Sequence, residues 1–263
     1  MTREEQLAGG VANAGMVTRV GDVVLRPSNP NSASIHQFLG SLREFGFTGA
    51  SKPLGIDTDG RERLEFIDGD VPLPPYPGWA QGDDALASVA ALMRGFHAAS
   101  AAFDPRQASW STEMSDPAGG TIVCHNDICL ENVVFRDGTA VGLLDFDFAA
   151  PGRAIYDIAQ MARMCVPVDD DLSATRLGWV AADRSARLRV VADTYGLDGP
   201  GRDLLLTILS NSIARGGEFV RRRVEAGDPN FAAMWNDIGG MERFDRRRAW
   251  WATNRGSFVS ALS

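Results

Sequence analysis

Four prolines between residues 72 and 77 divide this chain into two unlike parts. Proline lacks a backbone N–H and clashes with a preceding helical turn, so the segment is typical of a connector and not of a helix. Short β-runs dominate before it, and long helical patterns dominate after it. The sequence therefore predicts an α+β chain with a small β-rich lobe and a larger, mainly helical lobe.

The first part of the chain indicates a small sheet with one helix inserted. Residues 16–27 contain two short β-runs around a turn at Gly21-Asp22, which is a hairpin signal. A helical pattern follows and ends near Phe45, and two further β-runs at 53–57 and 61–67 come next.

We therefore expect a small lobe over residues 1–67, a connector over 68–80 and a larger lobe over 81–263. A buried helix is expected from about Asp83 to Phe103, because its pattern is apolar almost all round. A strand at 121–124 and a hairpin at 132–145 come before the last helices. These helices are expected at 154–165, 183–195, 201–225 and 230–251.

Composition excludes several classes of protein. The net charge of −8 and the pI of about 4.9 argue against a general binder of nucleic acid or of anionic membranes. No run of about 20 apolar residues exists that could span a bilayer. Two acids directly follow Arg3 and no apolar run comes after them, unlike a signal peptide. The three irregularly spaced cysteines are typical of reduced thiols. We expect a cytoplasmic protein; the sequence does not indicate its oligomeric state.

Polar side chains with the chemistry of a metal–phosphate site cluster in residues 121–159. His125, Asp127 and Asn132 share one loop after a strand, and Asp145 and Asp147 follow the next apolar strand. Carboxylate and amide oxygens are the ligands that Mg²⁺ prefers. A further carboxylate can accept a proton from an attacking hydroxyl group. Together these groups outline phosphoryl transfer.

The spacing of these residues resembles a known family. His125-x-Asp127-x-x-x-x-Asn132 has the spacing of the kinase catalytic loop, and the triplet starting at Asp145 falls where kinases carry Asp-Phe-Gly. With the later Tyr156-Asp157 pair, the segment is similar to the aminoglycoside phosphotransferase family of kinase-like small-molecule phosphotransferases. The resemblance implies a two-lobed, protein-kinase-like fold.

The resemblance also implies roles for individual residues. Asp127 would be the base that receives or orients the acceptor hydroxyl, and Asn132 and Asp145 would hold Mg²⁺ against the nucleotide phosphates. His125 and Asp157 would support the catalytic loop. Asp147 departs from the glycine of the kinase triplet and would be a supporting residue, either as a third oxygen ligand or as part of the loop.

The small lobe matches the family less closely. Adenine is expected to bond the backbone carbonyl of Glu65 and the amide of Ile67, but no G-x-G-x-x-G loop is present. The only lysine, Lys52, comes after the first helix, whereas the family carries its phosphate-binding lysine before that helix. Arg26 occupies the expected place and is assigned to the phosphates, with Glu44 as its candidate ion-pair partner or simply an exposed helix acid.

The sequence as a whole predicts an ATP-dependent phosphotransferase that uses Mg²⁺ and a small-molecule hydroxyl acceptor; GTP stays open as the donor. Residues 201–263 carry 10 arginines and 7 acids, a net charge of +3, which favours a neutral or anionic acceptor over a polycationic aminoglycoside. Two alternatives stay open. One is a catalytically inactive nucleotide-binding pseudokinase, and the other is a metal-dependent phosphohydrolase that uses Asp145 and Asp147.

Overall fold

The computed structural model describes residues 4–7 and 15–263. The expectation that the first ten residues form no signal peptide therefore falls largely outside the described residues. Among the described helices, none combines the length and the apolar character that crossing a bilayer requires.

An antiparallel sheet of five strands, in the order β1-β2-β3-β5-β4, forms the small lobe. The hairpin predicted at residues 16–27 is present as β2 and β3, and its turn contains Gly21 at φ 62°. One helix, α1, lies between β3 and β4, as the sequence predicts. The elements are β1 (Glu5–Gln6), β2 (Thr18–Val20), β3 (Val23–Pro27), α1 (Ser32–Glu44), β4 (Pro53–Ile56) and β5 (Arg61–Glu65).

Two short antiparallel strand pairs and eight helices make up the larger lobe among the described residues. Strand β6 pairs with β9, and β7 pairs with β8, so the polar loop after β6 and the segment after β8 lie at neighbouring strand ends. The elements are α2 (Asp83–Ser100), β6 (Ile122–Cys124), β7 (Val133–Arg136), β8 (Thr139–Leu143), β9 (Ala150–Gly152), α3 (Ala154–Cys165), α4 (Asp171–Arg176), α5 (Arg184–Tyr195), α6 (Gly199–Ala214), α7 (Glu218–Glu225), α8 (Pro229–Ile238) and α9 (Gly240–Leu262). The predicted fold class, a small sheet lobe joined to a mainly helical lobe, is confirmed.

Two of the predicted helices are wrong in their extent. The helix expected over 201–225 is split into α6 and α7, because Gly217, just before α7, adopts φ 91°, a left-handed conformation that a continuous helix does not contain. The helix expected over 230–251 is split at Gly239, with φ 88°, and its second part continues to Leu262. The lobe boundaries at residues 67 and 81 stay predictions.

The two lobes meet through a buried aromatic cluster around Phe38 of α1. Its ring centroid lies 6.1 Å from that of Phe96, 5.2 Å from Phe103, 5.8 Å from Trp110 and 6.4 Å from Phe146, all in edge-to-face arrangements. Phe146 directly follows Asp145, so this cluster packs α1 against the segment that carries the predicted metal ligands.

Truncation of Phe38 should destabilise the whole protein. We expect Phe38→Ala to lower the free energy of unfolding by about 3–5 kcal/mol in urea denaturation, because it opens a cavity among four rings. Phe45→Ala is the matched control, because Phe45 follows the same helix directly and is 43% exposed. It should lower the free energy of unfolding by less than about 1 kcal/mol. Equal costs for the two variants would contradict this packing.

Candidate active site

A single cleft of about 1120 Å³ brings together five of the residues that the sequence singles out. Arg26, Ile67, Asp127, Asn132 and Asp145 all line it. Four further predicted residues are not among its lining residues. They are Glu65, His125, Asp147 and Asp157.

Asp157 holds the loop that carries Asp127. Its buried carboxylate accepts hydrogen bonds from the backbone N–H groups of His125, at 2.7 Å, and of Asn126, at 2.8 Å. His97 Nε2 lies 3.0 Å from the same carboxylate. Burial works to raise the pKa of Asp157, but the bond with His97 and the loop N–H groups outweigh it, so the pKa is lowered.

His125 joins this loop to the end of β8. Its Nε2 lies 2.8 Å from the carbonyl oxygen of Leu144, so this nitrogen carries the hydrogen and donates it. Burial lowers the pKa of His125, which keeps the ring neutral. Its ring also packs at 4.5 Å from Phe146. The residue before Asp145 is thereby tied to the catalytic loop.

Two asparagines complete the loop. Asn126 adopts φ 68°, a left-handed conformation that asparagine tolerates, and its Nδ2 donates to the carbonyl of Phe148 at 2.9 Å. Asn132 Nδ2 donates to the backbone carbonyl of Asp127 at 2.8 Å, and the backbone carbonyl of Asn132 accepts from the Leu144 N–H at 2.8 Å. The position of Asp127 is therefore held from both sides.

The environment of Asp127 suits a general base. Burial and the nearby Asp145 raise its pKa to about 6, against an opposing effect of Arg163. A carboxylate with this pKa is ionised at neutral pH and accepts a proton more readily than an ordinary aspartate.

Arg26 binds carboxylates from both lobes. Its Nε donates to Glu62, its Nη1 to Asp145 at 3.0 Å and its Nη2 to Asp147 at 2.5 Å. Glu62 stands directly opposite Arg26 in the pairing of β3 with β5. The candidate partner Glu44 is wrong, because it is exposed at the end of α1 while the cross-strand register supplies Glu62.

The oxygen atoms of this site fit a divalent cation. Asn132 offers an amide oxygen, and Asp145 and Asp147 offer two carboxylates whose charges repel each other. Burial and Asp145 raise the pKa of Asp147 to about 6, although Arg26 acts to lower it. Hard oxygen donors that crowd negative charge in this way are what Mg²⁺ binds. We find the donor set compatible with the predicted metal.

The expected adenine contacts remain predictions. Ile67 lines the cleft, with the apolar side chains of Val24 and Leu64 from the small sheet. The backbone N–H of Glu65 donates to the carbonyl of Lys52 at 2.8 Å, and its side chain accepts from Arg43 at 2.6 Å.

Several residues of the site were not predicted from the sequence. Asn29 donates to Asp147 at 3.0 Å, and His36 Nε2 lies 3.4 Å from Glu62. His97 and Asn126 also take part through Asp157. Of these residues, only Glu62 could have been found from the sequence. It lies on the inward face of a strand whose alternate residues point outward, and that strand pairs with the strand of Arg26.

Comparison with known proteins agrees with this geometry. The model of the phosphotransferase enzyme family matches residues 106–189, which contain Asp127, Asn132 and Asp145. The chain is 30% identical, over an alignment 276 positions long, to the trifolitoxin immunity protein of Rhizobium leguminosarum bv. trifolii, and the match covers 100% of both chains.

Solved structures share the fold at low sequence identity. A choline/ethanolamine kinase family protein from Mesorhizobium loti superposes with a TM-score of 0.65 at 16% identity, over 99% of this chain and 92% of the other. An ethanolamine kinase from Plasmodium vivax gives 0.63 at 13% identity, over 98% and 84%. A GDP complex of an aminoglycoside 2'-phosphotransferase gives 0.58 at 16% identity, over 97% and 93%.

The fold and the cleft together define a kinase-like small-molecule phosphotransferase. The chain belongs to the phosphotransferase enzyme family, as its sequence predicts, and is a phosphotransferase with a hydroxyl group as acceptor.

Replacement of Asp157 should loosen the catalytic loop. We expect Asp157→Asn to lower the free energy of unfolding by about 3 kcal/mol at pH 7, because its buried N–H donors lose an ionised acceptor. The pKa of Asp157 is lowered in the folded state, so its contribution is complete above the unfolded pKa of about 4 and is lost as the pH falls through the folded value.

Urea denaturation at pH 7 and at pH 3 measures this difference. The difference in free energy of unfolding between wild type and Asp157→Asn should be smaller at pH 3 than at pH 7. Asp203→Asn on the exposed side of α6 is the matched control and should change little at either pH. A gap that stays constant with pH would show that the carboxylate charge of Asp157 does not hold the loop.

Proposed function

We propose that this phosphotransferase moves the γ-phosphoryl group of ATP to a hydroxyl group of a small molecule, with Mg²⁺ as cofactor. The observation that carries the proposal is that Asp127, Asn132 and Asp145 line one cleft together with apolar residues of the small sheet. These residues would supply a base, a metal-binding pair and a surface for a nucleotide base in one place.

The nucleotide would occupy the part of the cleft under the small sheet. Val24, Leu64 and Leu143 supply an apolar surface for a purine there. We propose that the backbone carbonyl of Glu65 and the amide of Ile67 bond its edge. Support for a purine nucleotide comes from the GDP complex of the structurally similar aminoglycoside phosphotransferase, which also keeps GTP open as the donor.

The phosphates would lie near Arg26 and the metal ligands. Asn132 and Asp145 would hold Mg²⁺, which when bound offsets the negative charge of the phosphate oxygens. Arg26 would keep Asp145 and Asp147 in place and present its charge to the phosphates, since it lines the cleft while bonding both carboxylates. His125 and Asp157 would keep the loop in position.

Asp127 would act as the base. Its carboxylate would accept the proton of the acceptor hydroxyl as that oxygen forms a bond to the γ-phosphorus. The bond from the γ-phosphorus to the bridging oxygen would break, and the bridging oxygen would leave with its electron pair on ADP. The pKa of Asp127, raised to about 6, matches this role at neutral pH.

Two observations support a physiological setting. Full-length similarity to an immunity protein supports an acceptor that is an antibiotic or toxin, which phosphorylation would inactivate. The three cysteines Cys124, Cys129 and Cys165 are free thiols, which supports a reducing, cytoplasmic location.

Nucleotide binding is the first test of the proposal. ATP with Mg²⁺ at about 100 times its Kd should stabilise the protein by about 2.7 kcal/mol, which a thermal-shift titration detects as several degrees. We expect Asp145→Asn to abolish the Mg²⁺-dependent part of the shift. Asp137→Asn, at an exposed turn where asparagine also fits φ 50°, is the control and should shift like wild type.

The outcomes separate the alternatives. A shift that needs neither Mg²⁺ nor Asp145 would favour the nucleotide-binding pseudokinase. No shift with ATP, ADP or GTP would contradict the nucleotide site itself.

Asp127→Asn should separate binding from catalysis. We expect it to keep the nucleotide-induced shift but to lose about 10²–10⁴-fold in acceptor-independent ATP hydrolysis, because the base is gone. The variant should also melt several degrees higher at pH 7. The folded pKa of Asp127 is raised to about 6, so its ionisation disfavours the folded state above that pH.

This stability gain has a defined pH dependence. It should grow between pH 4 and pH 6 and be absent below about pH 4, where Asp127 is protonated in both the folded and the unfolded protein. Near-normal hydrolysis by Asp127→Asn would contradict its role as base.

A further inference from the structure

Beyond Asp127, the cleft is lined by arginines. Arg163 comes from α3, and Arg243 and Arg247 come from α9. Arg163 and Asp127 are close enough to influence each other's pKa, so this arginine group borders the proposed site of transfer.

The carboxylate next to these arginines does not balance their charge. Asp169 accepts from Arg243 Nη2 at 2.9 Å, and from Arg247 Nε at 2.8 Å and Nη2 at 2.7 Å. Arg163 forms no ion pair with any of the described residues. Its Nε donates one long hydrogen bond, of 3.5 Å, to Gln160 Oε1. Nε of Arg243 is also buried without a hydrogen-bond partner among these residues.

Arg163 is therefore a partly buried cation without a close counter-charge among the described residues. Burial and repulsion from Arg247 and Arg243 lower its pKa to about 10, which still leaves it protonated at neutral pH. A partly buried charge without a close partner works against folding, so a gain elsewhere must explain it. With Arg246 and its partner Asp170 included, four guanidinium groups meet three carboxylates, those of Asp127, Asp169 and Asp170, and one positive charge is left over.

Several of the acids that line the same cleft already accept a hydrogen bond from another side chain. Glu113 accepts from Arg223 at 2.7 Å, and Glu131 accepts from the hydroxyl of Tyr76 at 2.7 Å. Glu218 is exposed at the start of α7. The described part of this region therefore favours the binding of an anion over the binding of a cation.

An aromatic wall lines the same cleft. The rings of Phe148 and Phe219 lie 5.4 Å apart, and those of Phe219 and Phe231 lie 5.4 Å apart, all edge to face. All three line the cleft. An acceptor could place an apolar part against this wall.

We propose that the acceptor carries a carboxylate, bound by Arg163 together with Arg243 and Arg247, and an apolar group that packs on the aromatic wall. This inference rests on the proposed function, because it assigns the acceptor end of the same cleft. A carboxylate is the group that fits, since its single charge equals the charge left over and its two oxygens match a guanidinium.

Three probes that differ mainly in charge test this site by calorimetric titration. Phenyl β-D-glucuronide is anionic, phenyl β-D-glucoside is neutral and phenyl β-D-glucosaminide is cationic, and each carries hydroxyl groups and a phenyl ring. We expect the glucuronide to bind at least tenfold more tightly than the other two, with a Kd in the millimolar range.

Variants assign the preference to Arg163. Arg163→Met should abolish it, and Arg163→Lys should retain part of it. Arg163→Met should also raise the melting temperature by a few degrees, whereas an arginine with only a structural role would lower it when lost. Arg255→Met is the matched control, because Arg255 is exposed and does not line the cleft; it should keep the preference.

The outcomes distinguish this inference from the proposed function. Equal binding of the three probes, no binding of the glucuronide, tightest binding of the glucosaminide, or a preference that survives Arg163→Met would each overturn the carboxylate site. Asp145→Asn should keep the glucuronide preference although it loses the Mg²⁺-dependent nucleotide shift. If wild type shows the preference without any nucleotide shift, the carboxylate site stands and the proposed phosphoryl transfer fails.

Discussion

The cleft depends first on the buried guanidinium of Arg26. A charge taken out of water is tolerated only when it is paired, and Arg26 pairs with Glu62 of its own sheet and with Asp145 and Asp147 of the other lobe. The ion pairs therefore join the two lobes at the proposed phosphate position. The like charges of Asp145 and Asp147 in turn need this cation, or a metal, to stay close together.

Asp157 provides hydrogen-bond acceptors for the buried N–H groups of the loop that carries Asp127. The loop leaves β6 and turns through Asn126 at φ 68°, so its N–H groups have no strand partner. A buried, ionised carboxylate accepts two of them and also bonds His97. The loop is therefore held in place without being part of a sheet, which is what the proposed base Asp127 would need in order to meet a hydroxyl group at a defined place.

Asp127 and Arg163 share a property that links stability to function. The pKa of Asp127 is raised to about 6 and that of Arg163 is lowered to about 10, in both cases chiefly by burial. Each charged group is thus less stable here than it would be in water. Ionised groups kept in such positions mark the places where a protein gives up stability for binding or catalysis.

The sequence by itself determined the division into a sheet part and a helical part, and the spacing of Asp127, Asn132 and Asp145, because periodicity, prolines and short motifs are local properties. It did not show that Gly217 separates α6 from α7 and that Gly239 separates α8 from α9, both in left-handed conformations, since the helical pattern runs on through them. Only the tertiary structure decided that Glu62 pairs with Arg26 and that Asp169, 78 residues from Arg247, leaves Arg163 without a partner. Such pairings depend on how distant segments pack, and a charge in the sequence does not tell which opposite charge it will meet.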